Sequence, residues 1–190
     1  MSILTVSSEG TRRAMTANSS ILVGVAPEAV WVQVRGRGSF QNSACLKTFA
    51  TEMIQRGHRE FVVDLQECPM MDSTFMGTLT GIALKLRNAG NGEIHVVNSN
   101  PRNQELMSGL GLDQVLSIGD CPQAQQRPAT TGALRTGDVE KRETNSVMLH
   151  AHEALCRADD ANVAKFKDVL EFLRNDLGVQ AGGASAGGCR

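Results

Sequence analysis

Apolar positions between residues 20 and 119 switch repeatedly between a period of two and a period near 3.6. Val30, Val32 and Val34 alternate with Trp31, Gln33 and Arg35, which predicts a strand over 29–36. A second β-branched run, "ILVGVA" (21–26), is separated from it by Pro27-Glu28, and so short a link predicts a hairpin. In "NSACLKTFATEMIQRGH", Leu46, Phe49, Ala50 and Met53 recur at helical spacing, with Ser43 as the expected N-cap and Gly57 as the stop. "REFVVDLQ" (59–66) reads as a strand, and "DSTFMGTLTGIALKLRNAGN" as a helix carrying Phe75, Leu79, Ile82, Ala83 and Leu86 on one face. "GEIHVVNSN" (92–100) follows as a strand. "PRNQELMSGLGL" is a helix that starts at Pro101 and ends at Gly111, and "DQVLSIG" (113–119) is a last short strand.

This order implies an α/β domain over residues 20–119, with a mixed, mainly parallel sheet and an antiparallel hairpin at its edge. Residues 1–19 are polar and irregular and are expected to be disordered. Residues 120–143 are rich in Pro, Gly, Thr and Gln without periodicity and read as a linker. Two helical segments follow, forming a hairpin over 144–178, before a flexible tail at 179–190. The last helix carries a stripe of Val163, Phe166, Val169, Leu170, Leu173 and Leu177, with Asp160 as its expected cap. A helical hairpin cannot bury such a stripe alone, so it must pack on the α/β domain or pair with a second copy in a homodimer.

Composition narrows the function. The net charge is −1 with no single-sign block, aromatics make up 4% and Tyr is absent, which argues against nucleic-acid binding and stacking clefts. No apolar run is long enough for membrane insertion, and the N-terminus lacks the order of a secretory signal, so a cytoplasmic address is expected. The five cysteines are scattered and never in CxxC spacing, as free thiols would be. No cofactor-binding glycine loop occurs; "GNG" (90–92) is a turn, and "RGRGSF" (35–40) is read as a solvated turn. His150 and His152 form HxH, but on a helix such positions point apart, so no metal site is expected.

The candidate chemistry lies in "CPMMDSTFMGTL" (68–79). Asp72 precedes a long apolar-periodic run and is the natural N-cap of the helix. Ser73 is then the first residue of a helix that follows a strand, on the face where parallel strands end and ligands bind. Met70, Met71 and Met76 are expected to form an exposed apolar rim beside it. A phosphate on Ser73 would meet free N–H groups and the positive helix end, opposed by the Asp72 charge. A hydrolase using Ser73 would need a nucleophile elbow or a partnering histidine; His58 and His95 are the candidates weighed, and neither comes with a motif. Asp64, near the end of its strand, reads as structural.

Residues 20–119, most specifically the stretch 60–118, resemble the STAS domain of anti-sigma factor antagonists. The resemblance rests on Asp64, Asp72-Ser73, Gly77, Leu79, Gly90, Asn98, the Gly111-Leu112-Asp113 turn and Ile118. It implies a STAS-like fold and a non-enzymatic regulator that acts by partner switching. The unphosphorylated form would capture an anti-sigma factor that is also a serine kinase, and phosphorylation of Ser73 would break the complex. The implied partner surface comprises Met71, Asp72, Thr74, Phe75 and Met76, joined by Gly36, Arg37, Asn98 and Ser99 from neighbouring strand ends. No cofactor is implied, since ATP would belong to the kinase. The chain departs from the family pattern after the serine, where Thr74-Phe75-Met76-Gly77 replaces Ser-Gly-Leu-Gly and makes a bulkier turn. Other members of the family are scaffolds or subunits in stress-signalling or lipid-transport assemblies, which is the alternative reading.

Overall fold

The computed structural model describes residues 19–90, 92–119, 121, 128, 132–134 and 140–179. Expectations for the N-terminal segment, the tail beyond Val179 and much of the 120–143 stretch lie outside the described residues. Strands β1 (Ser20–Val25) and β2 (Val30–Arg35) form the expected hairpin, closed by Ala26 N–H donating to the Ala29 carbonyl. β3 (Glu60–Asp64), β4 (Glu93–Val97) and β5 (Ser117–Ile118) continue the sheet in parallel from β2. A sixth strand, β6 (Gly132–Leu134), pairs antiparallel with β1, giving the order β5-β4-β3-β2-β1-β6. The stretch read as a linker therefore adds an edge strand. Three residues are too few to carry a period, so nothing in the pattern announced it.

Both faces of β2 are buried. Val30, Val32 and Val34 join Phe61, Val63, Ile94 and Val96 in the main core, while Trp31, Val62 and Val97 form a second cluster with Cys121 on the opposite face. The helices cover the first face: α1 (Phe40–Gln55), α2 (Ser73–Gly90), α3 (Pro101–Ser108), α4 (Lys141–Ala158) and α5 (Ala161–Leu177). Several boundaries differ from expectation. α1 starts earlier, at Ser39, whose N–H donates to Asn42 Oδ1 (2.9 Å); Ser43 is a buried helical residue whose hydroxyl donates to the Ser39 carbonyl. α3 ends at Gly109, and Gly111 (φ 67°) instead opens a 3₁₀ turn, Leu112–Gln114, that shortens the last parallel strand to two residues. Ala161 N–H, at the start of α5, is capped by Asp159 rather than Asp160.

The α4–α5 hairpin folds back onto the domain. Leu155 of α4 is fully buried in the main core, and α4 lies along α2 and against α1. The crossing is close because α2 presents glycines: a Cβ on Gly77 would collide with the Ala151 carbonyl, and Gly81 faces Ala154. Asn162, buried in the first turn of α5, donates to the carbonyls of Leu110 and Leu155 (2.9 Å each) and ties the hairpin to the end of α3. Of the predicted stripe on α5, Leu170 and Leu173 are buried against Leu149, whereas Val163 and Val169 are exposed.

Candidate functional site

The site is assembled from the loops that follow β2, β3 and β4. After β3 the chain turns through residues 65–72, and asparagines at the N-cap and in the first turn of α3 hold that turn. Asn100 and Asn103 both donate to the Cys68 carbonyl, at 3.0 and 2.9 Å. Asn98, in the left-handed conformation (φ 55°), donates to Asp64 Oδ1 at 2.9 Å, and the same oxygen accepts from Gln66 N–H. Asp64 is thus structural, as its position suggested. The loop after β2 lies alongside: Gly38 N–H donates to the Met70 carbonyl and Asp72 N–H to the Gly38 carbonyl, so the two turns form a short parallel bridge. Gly38 is needed there, because an added Cβ would sit 2.8 Å from the Phe75 ring.

Asp72 serves two helices. Its Oδ1 accepts from Phe75 N–H (2.9 Å) in the first turn of α2, and its Oδ2 accepts from Phe40 N–H (3.0 Å) at the start of α1. One carboxylate therefore neutralises orphan donors at two positive helix ends. Ser73 follows as the first residue of α2 and is half-buried. Its Oγ lies 3.0 Å from His152 Nε2. His152 Nδ1 faces the Met148 carbonyl at 2.8 Å. A carbonyl only accepts, so in the neutral ring Nδ1 carries the proton, Nε2 is the acceptor, and the Ser73 hydroxyl donates to it. Burial pushes the His152 imidazole below its ordinary value, partly offset by the Met148 carbonyl and the Asp72 charge. The Phe166 ring of α5 packs edge-on against it, centroids 4.9 Å apart.

The predicted site residues divide into two groups. Gly36, Asp72, Ser73 and Ser99 are half-buried, and Arg37 and Asn98 are exposed, so these do gather at the ends of the parallel strands. Met71, Thr74, Phe75 and Met76 do not form an accessible rim. Met71, Phe75 and Met76 are 2%, 0% and 3% exposed in the main core, and Thr74 is buried as well. The apolar surface expected to face a partner is instead the underside of the two capped turns, covered by α1 and the hairpin. His95 is bound to Glu60 at the beginning of β3, at the other end of the strands from Ser73. The histidine that reaches Ser73 is His152. The HxH spacing did place His150 and His152 on different sides, one exposed and one buried, but nothing in the sequence says which element His152 meets.

The model of the family described as "Mlab, STAS domain" matches residues 21–118, a little over half of the chain. No curated protein matches the sequence. Among solved structures, the NMR structure of TM1081 aligns with a TM-score of 0.50 at 17% identity, covering 55% of this chain and 83% of that one. The crystal structure of the same protein, from Thermotoga maritima, gives a TM-score of 0.49 at 17% identity, covering 55% and 89%. SpoIIAA, an anti-sigma factor antagonist solved in its unphosphorylated form, gives 0.46 at 16% identity, covering 56% and 93%.

Proposed function

This chain belongs to the STAS-domain family, and from that premise we propose that it is a cytoplasmic, non-enzymatic anti-sigma factor antagonist working by partner switching, with Ser73 as phosphoacceptor. The observation that carries this reading is the position of Ser73. It is the first residue of α2, directly after the capping Asp72, where the family pattern has its regulated serine. A phosphate there would gain the free N–H groups of the helix start. It would also stand beside the Asp72 carboxylate and displace the Ser73–His152 hydrogen bond, so phosphorylation opposes the seating of the hairpin. The surface left for an anti-sigma kinase is the rim of exposed and half-exposed turns: Gly36 and Arg37, Asp72 and Ser73, Asn98 and Ser99. ATP would be the kinase's ligand.

The test is incubation of the protein with a cognate kinase and ATP, with the phosphate located by mass spectrometry, alongside partner affinities of Ser73→Ala and Ser73→Asp. Label on Ser73 and weaker binding by Ser73→Asp are expected. Absence of label, with equal binding by both variants, would sink the switch.

One observation favours a second reading, a constitutive scaffold or subunit in a stress-signalling or lipid-transport assembly: the Ser73 hydroxyl already has an internal partner in His152. On that reading Ser73→Ala binds its partner like the wild type, and the phosphate assay stays blank.

A further inference from the structure

Where α1, α2 and α4 meet, on the side of the α2–α4 crossing away from Ser73, the seam opens into a cavity of about 330 Å³. Its apolar wall comes from Ile82 and Leu84 of α2 and Val147 of α4, and Gly77 and Gly81 also line it. Its charged side chains are of one sign, Lys47 from α1, Lys85 from α2 and Arg157 from α4, and Thr51, Thr78, Asn88 and His150 add further polar groups. No carboxylate lines it. Glu52 and Glu143 border an adjoining groove that the two lysines share, and Glu52 is already paired with Arg56. Among the described residues, no ion pair involves Lys47, Lys85 or Arg157, although the chain as a whole has one more acid than base.

Three cations from three helices border one apolar hollow, Lys47 half-buried and Lys85 and Arg157 exposed. Lys85 Nζ is directed by a hydrogen bond to Thr51 Oγ1 (3.2 Å), a residue that also lines the cavity. The Lys47 ammonium is held below the ordinary lysine range by burial and by the charge of Lys85. An anion between them would relieve that repulsion, and an apolar body would cover the wall formed by Ile82, Leu84 and Val147. The geometry points to a binding site for a small organic anion, one carboxylate, sulfonate or phosphate head on an apolar body, held between Lys47, Lys85 and Arg157. Because Lys47 and Lys85 belong to the α/β domain and Arg157 to the hairpin, the ligand would also fasten one to the other. This site is independent of the Ser73 reading.

Anilinonaphthalene sulfonate is a fluorescent anion of this class, and N-phenylnaphthylamine is its uncharged counterpart. Titration of the full-length protein with the sulfonate should show saturable one-to-one binding, and the neutral compound should bind at least about tenfold more weakly. The double variant Lys47→Gln/Lys85→Gln should lose about tenfold in sulfonate affinity, while Lys141→Gln/Lys167→Gln, which removes two cations elsewhere, should not. Gly81→Met keeps every charge and fills the hollow, since a Cβ there meets only Ala154 Cβ at an ordinary 3.6 Å; it should also block the sulfonate. Circular dichroism of each variant establishes that it is folded. Equal binding of the charged and neutral probes, or undiminished sulfonate binding in both Lys47→Gln/Lys85→Gln and Gly81→Met, would overturn the site.

Discussion

The Ser73 hydroxyl and His152 Nε2 lie 3.0 Å apart although 79 residues separate them in the chain. The contact joins the start of α2 to the hairpin that folds over it. The site thus carries a built-in competitor for the hydroxyl that the family pattern singles out. The distal nitrogen of His152 is bound to a backbone carbonyl rather than a carboxylate, and Asp72 is committed to two helix ends.

Replacing His152 separates these roles. His152→Ala removes the hydrogen bond and the ring that meets Phe166, and should cost about 2–3 kcal/mol in urea unfolding. His152→Phe retains a ring but not the acceptor, and should cost about 1 kcal/mol. In both variants Ser73 should be phosphorylated faster by a competent kinase, since the hydroxyl no longer has an internal partner. A fluorophosphonate probe should leave Ser73 unlabelled in the wild type; His152-dependent labelling would point to a hydrolase instead.

The same imidazole sets a pH dependence. Burial depresses its folded-state value, so the unfolded chain takes up a proton first as the solution is acidified. Its contribution to stability is therefore intact above the unfolded histidine value of about 6.5 and lost as pH falls from there through the folded value. Urea midpoints measured between neutral pH and about pH 5 should decline in the wild type. They should decline less in His152→Phe, because that variant has no proton to bind at this position.

The sheet and the α1–α3 core were legible because Val30, Val32 and Val34, and then Leu46, Ala50 and Met53, carry their periods on faces that are buried. Asp72 was legible as a cap because capping is local: its Oδ1 bond spans three residues. Its second bond, to Phe40, crosses 32 residues and follows from the parallel bridge between two turns, which no local pattern encodes. Met71 and Met76 do not form the exposed rim that the sequence predicts, because a helix start beside a site is not thereby open. Which face of a first helical turn is covered depends on what packs there, and of the covering elements, α1 and the hairpin, the second lies some 80 residues downstream. His152 was out of reach for the same reason.

Gly77 and Gly81 give contrasting tests of how firmly the hairpin is held. A Cβ on Gly77 collides with the backbone of Ala151, so Gly77→Ala forces α4 away from α2. The loss should exceed about 2 kcal/mol, and hydrogen exchange should show lost protection across α4 and α5. Gly81→Ala meets only Ala154 Cβ at 3.6 Å and sits inside α2. It should be neutral or stabilising by about 0.5–1 kcal/mol, from helix propensity alone.

Asp72 offers a graded test of the double cap. Asp72→Ala removes the acceptors for both Phe75 N–H and Phe40 N–H, and each lost cap costs about 1 kcal/mol, so a total near 2 kcal/mol is expected. Asp72→Asn keeps one carbonyl oxygen, which can serve α2 or α1 but not both, and should cost about half as much. It also removes the negative charge beside Ser73. If Asp72 opposes a phosphate at that position, phosphorylation of Ser73 should cost the fold less in Asp72→Asn than in the wild type. Urea unfolding of the phosphorylated and unphosphorylated forms of both proteins measures this: the destabilisation caused by the phosphate should shrink in Asp72→Asn. An unchanged difference would mean that the hairpin contact through His152, and not the Asp72 charge, is what the phosphate disturbs.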